Sequence, residues 1–177
     1  MTQNSIAAAL IAEHEEIDVG IAQFVARVGE LGPAPDAAAV RETADPLLGA
    51  FTALRRHIYL EEEFVFPALD APSLRMAIMV MYREHGQIWR LMDQAEAQIA
   101  DQETPAADVL DTCETMLQEL QRHNAKEEPI IYPHTDADLA ESEQERLGQF
   151  LAAGTMPAGW TCREAVAGPA CLPFGDS

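Results

Sequence analysis

His57-Ile-Tyr-Leu-Glu61-Glu62-Glu63-Phe-Val-Phe-Pro67 and His123-Asn-Ala-Lys-Glu127-Glu128-Pro-Ile-Ile-Tyr-Pro133 are two versions of one segment. In each, a glutamate follows the histidine by four residues and a proline follows it by ten. Helical positions four apart share a face, at a rise of about 1.5 Å per residue, so each segment aims an imidazole and a carboxylate at one spot. An echo precedes each copy: Glu13-His14-Glu15-Glu16-Ile17 and Glu84-His85-Gly86-Gln87-Ile88. The chain therefore reads as an internal duplication of a helix pair, with a lone histidine and a His/Glu pair in each half.

The apolar spacing around these segments is helical. Ile6, Leu10, Ile17, Ile21, Phe24, Val28 and Leu31 keep three- and four-residue steps once His14 is placed between Leu10 and Ile17, which puts His14 on the core-facing stripe. Gly32-Pro33-Ala34-Pro35 ends that helix. A second is expected over about residues 36–66, with Pro46 kinking it or restarting it behind Asp45 as cap. Pro72-Ser73 opens a third, on which Leu74, Ile78, Met81, His85, Ile88, Met92, Ala95 and Ile99 step regularly. Thr104-Pro105 is a cap and first-turn signal for a fourth, with Val109, Cys113, Met116, Leu120, His123, Glu127 and Ile130 as its stripe. Pro129 and Pro133 should bend or close it, and a short fifth helix is expected over residues 137–152.

No strand pattern competes, so the predicted class is all-α: an up-down-up-down antiparallel four-helix bundle with a short C-terminal helix. It is expected to occupy residues 1–153, with an irregular Gly/Pro-rich tail over residues 154–177.

Six polar groups fall on the inward stripes: His14, His57, Glu61, His85, His123 and Glu127. An unpaired buried carboxylate costs about several kcal/mol, so a cation is expected among them. Two metal ions fit the count, with two imidazoles each and the two carboxylates bridging. Imidazole with carboxylate suits iron, and also manganese or zinc; a closed structural zinc site would favour cysteine. A single histidine on an apolar stripe is ordinarily a hydrogen-bonded core residue, but four in duplicated context are not explained that way.

Glu62 and Glu128 sit about 140° from their histidines, against about 40° for Glu61 and Glu127, and are expected in solvent or as outer partners of the ligands. Glu13 and Glu84, offset about 100°, are assigned to solvent. Tyr59 and Tyr132 could each donate a hydrogen bond to a metal-bound ligand, but their offsets favour packing; His134, which has no counterpart in the first copy, is assigned to the surface or to a supporting role. Ile17, Ile88, Trp89 and Met92 lie within about one turn of the lone histidines and either wall the centre with apolar surface or are ordinary core.

The 177 residues suffice for one core. A net charge of −19, from 11 basic and 30 acidic residues, argues against nucleic acid or an anionic membrane surface as partner. No apolar run approaches the roughly 18 residues of a membrane span, and no basic leader is present, so a cytoplasmic protein is expected. Three cysteines without a CxxC fit reduced thiols. Cys113 reads as core, and Cys162 with Cys171 is the one pair that redox chemistry could use.

The order His14, His57-x3-Glu61, His85, His123-x3-Glu127 resembles the repeated pattern of the hemerythrin-like, HHE cation-binding family over about residues 5–135. In hemerythrins proper the third helix carries His-x3-His; here the position four after His85 is Trp89. The ligand pattern thus looks most like that of the repair-of-iron-centres di-iron proteins. The resemblance implies an oxo- or hydroxo-bridged di-iron centre with open coordination, binding or reducing dioxygen, peroxide or nitric oxide, with a protein redox partner where electrons are consumed. A non-catalytic iron-handling, sensing or iron-centre repair role is the alternative. The ferritin-like Glu-x-x-His pattern is absent: no histidine has a glutamate three residues before it.

Overall fold

A computed structural model describes residues 5–166, which are helical with no strand among them. Helix α1 (Ile6–Glu30) is capped by Ser5, whose hydroxyl accepts the Ala8 N–H at 3.0 Å. Asp36 caps the short α2 (Ala37–Glu42) in the same way. The chain restarts as α3 (Asp45–Leu60), with Pro46 in its first turn. The sequence assigned the cap to Asp45, but Ala44 takes that position and Asp45 lies in the first turn, where its charge complements the helix dipole.

At Glu61 the helix widens into a π turn over Glu61–Val65, closed by the Phe66 N–H on the Glu61 carbonyl, before a last turn, α4 (Phe66–Ala68). Such bulges concentrate at functional sites. Helix α5 spans Arg75–Ala100 and α6 spans Ala106–Ile130. Thr104 does not cap α6; its hydroxyl donates to Asp101 instead, and Pro105 stands at the cap position. Pro129 is tolerated inside α6, the chain breaks at Ile131, and α7 (Tyr132–Ala137) begins before Pro133. The second copy thus ends in a break where the first ends in a π turn. The fifth helix is α8 (Glu141–Ala153).

Helix α1 packs against α3 and α6, and α5 packs against α6 and α3, so the four long helices enclose one interior. That interior holds two apolar clusters with the histidines between them. Along α1, Leu10 belongs to one cluster and Ile17 to the other, with His14 between; along α5, Met81 and Ile88 flank His85 in the same way. Helices α3 and α6 meet the clusters in the reverse order, from Leu54 past His57 to Leu60 and from Leu120 past His123 to Ile131.

Residues 154–166 are less irregular than expected. They include α9 (Arg163–Val166), which seats on α5 where Gly86 leaves room; a Cβ there would lie 2.6 Å from that of Glu164. Within this segment Cys162 is buried, and Trp160 packs edge-on against Tyr59 and Trp89. Cys171 lies outside the described residues, so its pairing with Cys162 is not addressed. No helix among the described residues is long and apolar enough to cross a membrane.

Candidate metal centre

The six residues singled out by spacing meet in the layer between the clusters. All are buried, and Glu61 and Glu127 are 0 % exposed. They form two overlapping groups, His14/His57/Glu61/Glu127 and Glu61/His85/His123/Glu127, each offering four ligand atoms within 4.8 Å of one another. Each half of the duplication contributes one histidine pair, with ring centroids 4.6 Å apart for His14/His57 and 5.0 Å for His85/His123. Glu61 spans the pairs: Oε1 lies 3.2 Å from His57 Nε2 and Oε2 lies 3.2 Å from His85 Nε2. Glu127 Oε2 sits 3.1 Å from His123 Nε2 and 3.7 Å from His14 Nε2.

Each of the four convergent histidines turns Nε2 inward and pairs Nδ1 with a carboxylate. His57 Nδ1 meets Glu13 at 2.8 Å, His123 Nδ1 meets Glu84 at 3.1 Å, His85 Nδ1 meets Glu62 at 3.0 Å and His14 Nδ1 meets Glu128 at 3.0 Å. The pattern obeys the duplication: the glutamate before each lone histidine holds the paired histidine of its own half, and the glutamate after each ligand glutamate holds the lone histidine of the other half. Such partners orient each imidazole so that Nε2 faces the interior, where it could bind a cation once deprotonated. Glu62 and Glu128 are outer partners, one of the two roles expected for them. Glu13 and Glu84 correct their assignment to solvent: the 100° offset turns each toward a neighbouring helix. The recurrence of Glu-His in both halves was the available signal.

Electrostatics follow from burial and these pairings. Burial opposes charge on His57 and His123, but Glu61 with Glu13, and Glu127 with Glu84, overcome it and push both imidazoles up to about 10. His14 moves the other way, lowered by burial and by the His57 charge beside it. Burial would raise Glu84, yet His123 and Lys126 hold it near 2. Glu13 is also held low against burial, by His57 and by Arg56, whose guanidinium donates to it at 2.7 Å and to the carbonyls of Phe150, Leu151 and Gly154.

Tyr132 is the residue the spacing misplaced. Its hydroxyl lies 2.6 Å from Glu61 Oε1, 3.1 Å from Glu127 Oε2, 2.9 Å from His14 Nε2 and 3.1 Å from His57 Nε2. It sits among the first group's ligand atoms rather than simply packing. Its counterpart in the first copy is Phe66, and that Tyr/Phe difference was legible. Tyr59 does pack, against Phe64 and Phe150. His134 stands apart, paired with Asp138.

In the second group, Glu61 Oε2, His85 Nε2 and Glu127 Oε1 are buried without an aligned hydrogen-bond partner. Glu61 Oε2 and His85 Nε2 face each other at 3.2 Å, and three buried ligand-type atoms without hydrogen bonds are costly unless a cation joins them, so the donor set fits a metal. A small cavity of ≈ 10 Å³ adjoins the four histidines, about the room of one water molecule. Ile17, Leu54, Ile58, Ile88 and Leu120 give it apolar walls, and Asp18 and Asn124 line it too. Of the expected wall, Ile17 and Ile88 are present, whereas Trp89 faces Arg55 and Trp160, and Met92 lies in the adjoining core.

Comparison with curated proteins and with solved structures gives no match. A family profile, that of the hemerythrin HHE cation binding domain, matches residues 5–135, a span that holds all six convergent side chains. The chain belongs to the hemerythrin HHE cation-binding family.

Proposed function

We propose that this chain is a non-haem di-iron protein that binds or reduces a small oxidant: dioxygen, peroxide or nitric oxide. The observation that carries the reading is the pair of four-atom ligand groups sharing Glu61 and Glu127. The alternating order of the apolar clusters along α1, α3, α5 and α6 supports an up-down-up-down antiparallel bundle around them. His14 and His57 would hold one ion, His85 and His123 the other, with Glu61 and Glu127 between. Manganese or zinc suits the same donors. When bound, a pair of redox-active metals supplies electrons and open positions for a small ligand.

The chain's own contribution is orientation and access. The four outer carboxylates hold each imidazole in place, and the narrow cavity admits only small molecules. Asn124, 9 % exposed, and Asp18 each line it with a buried side-chain oxygen that has no hydrogen-bond partner, so these are the polar groups available to a ligand there. The test is anaerobic mixing of the reduced, iron-loaded protein with nitric oxide, peroxide and dioxygen. Turnover faster than autoxidation supports the reading; full iron occupancy with no visible absorption in the oxidised form contradicts it.

One observation favours a sensing role instead. Glu62 accepts from both His85 Nδ1 and the backbone N–H of Arg163, at 3.0 and 2.9 Å, so a change at His85 reaches the segment that α9 docks on α5. Tight binding without turnover, with a change in the protection of residues 160–166, would select this reading.

A further inference from the structure

The duplication makes the two ligand groups near-equivalent, and one position breaks the equivalence. Nine residues after His57 stands Phe66; nine after His123 stands Tyr132. Each opens the short helix that follows its copy, with proline next. Phe66 stacks on His85, ring centroids 5.6 Å apart, and brings no donor atom to the second group. Tyr132 brings its hydroxyl within 3.1 Å of one atom from each of the first group's four residues.

A phenol has one hydrogen, yet two carboxylate oxygens face it, and a neutral hydroxyl offers one donor and two acceptor sites against four contacts. Four such contacts suit an oxygen that shares a cation with those atoms better than a neutral hydroxyl. We infer that Tyr132 is an additional oxygen ligand to the ion held by His14, His57, Glu61 and Glu127, and that the two metal positions are therefore unequal. This rests on the di-iron reading above.

Side of approach agrees with it. Tyr132 and Phe66 belong to one apolar cluster, while Ile17, Leu54, Ile58, Ile88 and Leu120, which wall the cavity, belong to the other. Tyr132 thus fills a coordination position from the closed side and leaves the cavity side to the incoming molecule. Binding exchanges the phenol proton for the ion, the proton leaving to solvent as it does when other acidic side chains take up a metal. With one donor more beside His14 and His57 and only Phe66 in the matching place, an ion at His85 and His123 would be left with the more open coordination.

The test is resonance Raman spectroscopy on the oxidised, iron-loaded full chain, with natural and ring-deuterated tyrosine, on wild type and Tyr132→Phe, with iron counted in each sample. The expected result is isotope-sensitive phenolate modes in wild type and their loss in Tyr132→Phe, although Tyr59 and Tyr82 remain. Two irons per wild-type chain without such modes would overturn the inference and leave the di-iron reading standing, as would modes that persist in Tyr132→Phe. Absence of bound iron from the wild type would overturn both. The wild-type isotope shift stands by itself should the variant fold poorly.

Discussion

Glu84 Oε2 lies 3.1 Å from His123 Nδ1, although the residue next to Glu84 in the chain is His85. A carboxylate beside one candidate ligand thus steadies another on a different helix, and Glu13 does the same for His57 from beside His14. The candidate ligands of each half are thus tied together by the protein's own contacts.

Removing these outer contacts should loosen metal without unfolding the bundle. Glu13→Ala and Glu84→Ala are each expected to weaken metal binding by about 10–100-fold, measured by chelator competition, with helicity retained. Glu15→Ala, an exposed neighbour, should leave affinity unchanged.

The metal-free protein should depend on pH in a direction set by its raised histidines. His57 and His123 rise from 6.5 to about 10 on folding, so the stability they contribute is fully present below about 6.5 and lost as pH rises through about 10. Thermal melts of the metal-free chain should fall between pH 7 and 10. Metal uptake at pH 7 should release protons, detectable in weakly buffered solution. A flat melting profile for the metal-free chain would contradict the assignment.

Gly86 should control docking of the C-terminal segment. Gly86→Val places a branched side chain where a bare Cβ would already collide with Glu164, so α9 should lift. Cys162, buried and with its thiol pushed up to about 12, should then react with a thiol reagent in the folded state, giving one more reactive thiol than wild type. Cys113, also buried and near 12, should stay silent in both.

Access to the centre should be governed by the apolar wall. Ile17→Ala enlarges the cavity and should cost about 2–5 kcal/mol of stability, while speeding nitric oxide association with the reduced protein in stopped-flow. A slower reaction would show that the ligand enters elsewhere.

The sequence showed the inward faces because the helical period decides them: the stripes that carry Leu10, Ile17, Met81 and Ile88 place His14 and His85 with no further information. What lay off the stripe was harder to read. Glu13 and Glu84 point sideways, and whether sideways means solvent or a neighbouring helix depends on packing that periodicity does not encode. Tyr132 was misplaced because α6 breaks at Ile131, so counting turns beyond Pro129 loses its meaning. The π turn at Glu61 and the seat of α9 on Gly86 arise from long-range contacts, and neither has a periodic signature.

Metal content of the full chain, purified without chelator and reconstituted anaerobically with ferrous iron, tests the central claim most directly. Two ions per chain are expected in wild type, with occupancy falling at both positions in Glu61→Ala because Glu61 serves both groups. A wild-type chain that retains no metal, or a Glu61→Ala chain that binds two ions as tightly as wild type, would contradict the shared centre.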